Sequence, residues 1–192
     1  LAIANEKNAT FLFEASVAGG IPILRPISQC LAANELTDIY GILNGTTNYI
    51  LTKMIKEAVS FEDALKEAQE KGYAEKDPTA DVEGFDACRK VCILSSLAFG
   101  KHVYPEQVYT EGITKIALED AAFAEKSGYV IKLIGKTSIL NNHNTVFATV
   151  YPALIPMTSQ LANVNDVYNA VMVRGDAIGD ALFYGKGAGK LP

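Results

Sequence analysis

Residues 72–90 read GYAEKDPTADVEGFDACRK and run directly into the apolar VCILSSLAFG of residues 91–100. This junction constrains the fold more than any other stretch. The second half needs burial on most of its surface, while the first crowds Glu75, Asp77, Asp81, Glu83 and Asp86 into one turn and helix start. A solvated helix also carries acids, but usually with polar residues on both sides. The spacing predicts one strong helix over 77–100, with Asp77 as cap and Pro78 at the first helical position, although Gly84 weakens its early turns.

On that helix Glu83, Asp86 and Lys90 share one face, and Asp86 and Lys90 are i, i+4 neighbours. On a surface, such a pair is worth about 0.3–0.5 kcal/mol and means nothing more. Beside a buried run, the lysine feels two opposed pulls. Desolvation favours its neutral form and Asp86 its charged form, a condition suited to giving and taking a proton. Spacing alone leaves both readings open.

The rest of the chain mixes helices and strands without a regular βαβ rhythm. LAIANEKN reads as a helix end and TFLFEAS as a strand entering the VAGGIPIL turn; ILRPISQCLAAN is helical in part. LTDIYGILN alternates as a strand and TTNYILTKMIKEA has helical spacing. SFEDALKEAQEKG, with a Ser cap, early acids and a Gly stop, is the clearest helix. TKIALEDAAFAEKSG is a short helix. YVIKLIGKTSIL and TVFATVYPALI are strands around the turn NNHN, and DVYNAVMVRG and AIGDALFYGKGAG are two more. The class is α+β.

With 192 residues the chain can bury one sizeable core or two small ones. Its net charge of −5 and pI near 5.1 argue against nucleic-acid and anionic-membrane partners. The sequence holds no run of 18 apolar residues to span a membrane. Cys88 and Cys92 are at helical spacing and read as buried thiols, and the free cysteines favour a reducing, cytoplasmic setting. His102 and His143 stand apart, which disfavours a transition-metal site. The chain starts at Leu1 without a signal peptide, so it is expected to be an excised piece of a longer protein.

Three weaker motifs remain. LNGTTN, residues 43–48, sets hydrogen-bonding residues between a strand and a helix; it suits an anion or carboxylate, or is an ordinary turn with Thr caps. EASVAGGIPI, residues 14–23, could turn carbonyl oxygens around a hard cation, or be a tight turn ending at Pro22. GKGAG, residues 185–189, is half of a phosphate-cradling loop at most. DPTADVEG places its Gly two positions too late for a calcium loop.

Together these stretches resemble the catalytic domain of homoserine dehydrogenase. AQEKGYAEKDPTADVEGFDACRK, residues 68–90, carries the resemblance; EASVAGGIPI, GILNGTTNYIL and GKGAG follow the family's order. The resemblance implies helices covering a mostly antiparallel or mixed β-sheet that also builds a homodimer, with residues 1–192 forming one substrate-binding and dimerisation domain. It implies NAD(P)-dependent interconversion of L-homoserine and L-aspartate 4-semialdehyde, on the route to threonine, methionine and isoleucine. By matching positions, Lys90 would be the acid/base residue, and Gly72, Glu75 and Asp86 would hold the substrate. Glu14, Val17, Gly19 and Ile21 would bind a monovalent cation such as Na+, and Gly189 would lie beside the cofactor.

A substrate ammonium calls for carboxylates, and an oxygen gaining charge calls for a proton donor. The family's doubly wound nucleotide-binding domain should precede residue 1, so the chain alone is expected to be inactive. ANEK at residues 4–7 resembles a family stretch bearing a second lysine but lies too close to FLFEAS, so Lys7 is given no role. Two rival readings are Lys90 as a Schiff-base nucleophile and the chain as a non-catalytic dimerisation module.

Overall fold

The computed structural model describes residues 2–140 and 144–188. Among them, six strands form one mixed sheet: β1 (Leu36–Ile42), β2 (Tyr109–Thr110), β3 (Tyr129–Leu140), β4 (Thr145–Pro156), β5 (Tyr168–Gly175) and β6 (Gly179–Lys186). Their order is β2-β4-β3-β1-β5-β6. All pairings are antiparallel except the short β2–β4 pair. The β3–β4 hairpin matches the predicted strands; its turn residues 141–143 lie outside the described residues.

The helices are α1 (Ala2–Glu6), α2 (Gly45–Glu57), α3 (Phe61–Glu70), α4 (Thr79–Val82), α5 (Phe85–Phe99) and α6 (Leu118–Lys126); α2, α5 and α6 pack on the sheet, with α3 against α2 and α4 against α5. Ser60 caps α3 as predicted, accepting from the Asp63 N–H at 3.1 Å. The main core lies between helices and sheet, where Ile50, Leu51, Val91 and Leu94 meet Ile39, Leu133, Val171 and Val173. Cys88 and Cys92 belong to this core, and burial pushes the Cys92 thiol up to about 12, so both act as small apolar groups. No helix among the described residues is long and apolar enough to cross a membrane.

Two expectations need correction. TFLFEAS forms no strand: residues 10–14 have no ladder partner among the described residues, and Phe11 and Leu12 are 61% and 84% exposed. A β-branched and aromatic run cannot be a strand without a neighbour for its N–H and C=O groups. The predicted helix over 77–100 is broken into α4 and α5, because Gly84 takes φ 81°, which ends one helix and starts the next. Pro78, not Asp77, holds the cap position of α4, and Asp77 Oδ1 accepts from the Thr79 N–H at 3.1 Å one residue further back. ILRPISQCLAAN is helical in part, as expected, with a π-helical turn at Pro26–Cys30.

Lys132 on β3 is 1% exposed and ties α2 to the segment before β5. Its Nζ donates to the Val164 carbonyl at 2.5 Å, Asn48 Oδ1 at 3.0 Å and Asn165 Oδ1 at 3.4 Å. Burial above all, with Lys56 adding to it and Asp166 opposing, pushes the Lys132 pKa down to about 8. The unfolded chain therefore holds more protons between about pH 8 and 10.5, and stability rises with pH across that window. The gain is at most on the order of 3 kcal/mol. Chemical denaturation at several pH values should show this slope in the wild type and lose it in Lys132→Met; equal slopes would refute the assignment.

Candidate active site

The site is assembled where β1 ends and α2 begins. Asn44 has extended backbone angles, φ −130° and ψ 117°, and caps α2 by accepting from the Thr47 N–H at 2.8 Å. The capping expected of the threonines thus falls to Asn44. Its amide Nδ2 then donates to Asp81 Oδ1 at 2.7 Å and Asp86 Oδ2 at 2.8 Å, bridging α4 and α5.

Lys90 reaches the same point from one turn further along α5. Its ammonium donates to Asp86 Oδ2 at 2.6 Å and to the Leu43 carbonyl at 2.9 Å. The Lys90 and Asp86 side chains are 16% and 30% exposed, so the pair is open enough to meet a ligand. An ammonium carries three N–H bonds, and these two acceptors engage two of them. The third is available to an incoming oxygen. Lys90 as a Schiff-base nucleophile gains no support from these contacts.

Glu83 does not join the face predicted for it. The left-handed Gly84 places it at the end of α4, off the α5 axis. Asp81 stands there instead, half-buried beside Asn44. Burial raises the Asp81 pKa above the ordinary carboxylate value; Asn44 and Lys90 oppose this and Asp86 adds to it. The position of α4 depends on Gly112, since Ile113 donates its N–H to the Val82 carbonyl at 2.7 Å. A Cβ at Gly112 would lie 2.1 Å from that carbonyl oxygen and 2.4 Å from Glu83 Cα.

The loop after α3 closes a second side. Gly72 has φ 73°, a left-handed stop that only glycine adopts cheaply, and turns the chain toward Glu75. Thr46 Oγ1 donates to the Tyr73 carbonyl at 2.6 Å, fastening this loop to the first turn of α2. Glu75 is exposed, and its carboxylate has no partner among the described residues. Asp86 and Lys90 thus meet at the α2 start together with Asn44 and Asp81, and the turn after Gly72 is fastened there by Thr46, whereas no contact among the described residues brings the Glu75 side chain to this point. LNGTTN held the signal for Asn44 and Thr46.

Glu14 lies apart from this cluster. Its carboxylate accepts from the Leu24 N–H at 2.6 Å and the Arg25 N–H at 3.0 Å, closing the 14–25 turn. Val17 and Ile21 are buried, Ala18 and Gly19 have φ of 60° and 53°, and the Gly20 N–H bonds the Lys186 carbonyl at the end of β6. Among the described residues no three His, Cys, Asp or Glu side chains converge on a possible metal. Gly189 lies outside the described residues.

The arrangement has close counterparts. The homoserine dehydrogenase family model matches residues 22–192. Homoserine dehydrogenase of Bacillus subtilis is 48% identical over 192 residues, covering 100% of this chain and 44% of that protein. That of Neisseria gonorrhoeae is 48% identical over 99% of this chain and 43% of its own length. The chain therefore spans less than half the length of these relatives. Among solved structures, a homoserine dehydrogenase from Thiobacillus denitrificans superposes with TM-score 0.94 at 48% identity, over 98% of this chain and 43% of that one. A hyperthermophilic archaeal homoserine dehydrogenase in complex with NADPH gives TM-score 0.82 at 29% identity, over 98% and 53%. A family model spanning most of the chain, near-half identity along its whole length and the matching fold agree: the chain belongs to the homoserine dehydrogenase family.

Proposed function

We propose that this chain is the substrate-binding, acid–base and dimer-forming half of a homoserine dehydrogenase that interconverts L-homoserine and L-aspartate 4-semialdehyde. The observation that carries this is the Lys90 ammonium, held by Asp86 and the Leu43 carbonyl with one N–H left over among the described residues, beside the Asn44-linked carboxylates of Asp81 and Asp86. The carboxylates attract the substrate's ammonium and orient its carbonyl end toward Lys90. As the aldehyde oxygen gains electron density, Lys90 passes it a proton; in the reverse direction Lys90 takes the proton from the alcohol.

NAD(P) would supply or accept the hydride at the neighbouring carbon. The 185–188 segment packs against the α2 start, where a Cβ at Gly45 would come within 2.8 Å of Ala188 Cβ, which brings the glycine-rich end of the chain to the helix that carries Thr46 and to the Lys90 site. Gly189 is next in line for the cofactor by family position. The relatives' greater length supports a nucleotide-binding domain elsewhere in the polypeptide, and residues 1–192 alone are expected to be inactive. For the cation, family position assigns Glu14 and main-chain oxygens of Val17, Gly19 and Ile21, an oxygen-only donor set of the kind a hard monovalent ion takes, with the Glu14 carboxylate also accepting from the Leu24 and Arg25 N–H groups.

The homodimer has a surface to use. Opposite the helices, Ile42, Ile134 and Ala170 are already buried with Leu161 and Val164, while paired register leaves Tyr151, Leu182 and Tyr184 on that face, 38%, 36% and 55% exposed. A second copy seated there would bury this patch. Sedimentation showing only monomer would remove this part of the proposal. Free thiols at Cys30, Cys88 and Cys92 support a reducing, cytoplasmic setting; recovery of the activity outside the cytosolic fraction would oppose it.

The deciding experiment measures NAD and NADP reduction by the full-length enzyme with L-homoserine. Homoserine-dependent turnover with either nucleotide, absent with L-alanine, is expected. No turnover with either would sink the reading, and substantial turnover by residues 1–192 alone would refute the division of labour.

A further inference from the structure

Asn169 on β5 is fully buried, at 0% exposure. Its Nδ2 donates to the Leu43 carbonyl at 3.2 Å, the same oxygen that accepts from Lys90 Nζ at 2.9 Å. The carbonyl sets the amide's orientation, since only the NH2 end can donate to it. That orientation leaves Asn169 Oδ1 buried without a partner among the described residues.

An unpartnered buried oxygen costs on the order of 1–3 kcal/mol. A leucine of nearly the same shape would avoid that cost, and Leu43 would keep Lys90 as a donor. The one hydrogen bond of this side chain among the described residues is the one to the Leu43 carbonyl. Asn169 also sets how near the glycine-rich segment comes: a Cβ at Gly187 would lie 2.0 Å from Asn169 Cγ, while the Gly187 N–H bonds the Val167 carbonyl at 2.9 Å. The side chain thus lies between the carbonyl that anchors Lys90 and the strand end nearest the cofactor side.

We propose that Asn169 is a positioning residue for proton transfer: it fixes the Leu43 carbonyl, and through it the Lys90 ammonium, relative to the 185–188 segment. This rests on Lys90 being the acid/base group. With Asn169 in place, the carbonyl is held from one side by β5 and offers Lys90 a single direction. Without it, Lys90 and the carbonyl shift together, and proton transfer loses its alignment while the carboxylates that bind substrate stay where they are.

The test is Asn169→Leu in the full-length enzyme, alone and combined with Lys90→Ala, with kcat, homoserine KM and thermal midpoint read together. The expected result is a kcat lowered about tenfold to a hundredfold, a KM changed less than about twofold and a midpoint unchanged or raised. In the Lys90→Ala background the second change should cost nothing further, because both act on one step. Unchanged kcat, an equal loss on top of Lys90→Ala, or a loss that tracks a lowered midpoint would each overturn the proposal. Full turnover by Lys90→Ala itself would remove the functional reading and this inference together; an impaired Lys90→Ala beside an unaffected Asn169→Leu would remove this inference alone.

Discussion

Lys90→Ala in the full-length enzyme is expected to lower turnover about 10²–10⁴-fold while L-homoserine still binds. The two effects separate because the groups that recognise the substrate ammonium do not depend on Lys90. Asp81 and Asp86 remain fastened to Asn44, at 2.7 and 2.8 Å, and Glu75 stands on a different loop. Truncation removes the proton donor and the positive charge beside Asp86, whose Oδ2 keeps its bond from Asn44, so affinity for a cationic substrate stays level or rises. Steady-state kinetics with calorimetric homoserine binding would check both halves. Near-parental rates would place the proton donor elsewhere, on a lysine of another domain or a water. Loss of binding in step with turnover would make Lys90 a substrate anchor instead.

The second large effect is structural. Gly112→Ala puts a methyl group 2.1 Å from the Val82 carbonyl oxygen and 2.4 Å from Glu83 Cα, both backbone atoms with nowhere to rotate. Either the loop after β2 or α4 has to move. The expected cost is about 3 kcal/mol, or roughly 10 °C of thermal midpoint for a chain of this size. Because α4 carries Asp81, the surviving folded fraction should also show a raised homoserine KM. The control is Gly128→Ala, whose Cβ would meet nothing within 4 Å but whose φ of 81° still strains an alanine. A smaller midpoint change there, with KM unaffected, separates backbone strain from displacement of the site. A Gly112→Ala enzyme with parental midpoint and KM would show that the loop yields freely.

Much of this was legible in the sequence, and the failures have local physical causes. The α3 helix, the β3–β4 hairpin and the α2 start carry strong caps, alternation and periodicity, so short-range rules suffice. The break at Gly84 was the main error in the central segment. The periodicity of 77–100 runs through it, and only the tertiary hold of Val82 on Ile113 shows that the left-handed turn prevails. TFLFEAS failed for the opposite reason, since its propensity is that of a strand but no partner lies beside it. The site divides the same way. The Asp86–Lys90 pair could be read from i, i+4 spacing; LNGTTN marked Asn44, but its contact with Asp86, 42 positions away, and the place of Asn169, 79 positions from Lys90, lie beyond any local pattern.

The oxygen that anchors Lys90 belongs to the main chain. Every amino acid placed at position 43 brings the same carbonyl, so a saturation scan there would report only how the side chain packs in the core. Such a scan would rank Leu43 as an ordinary apolar position and miss its part in the chemistry. What the anchor depends on is the chain path from β1 into α2. Inserting or deleting one residue between Ile42 and Asn44 would turn that carbonyl away from Lys90, so this connection should accept other apolar side chains of similar size but no change of length.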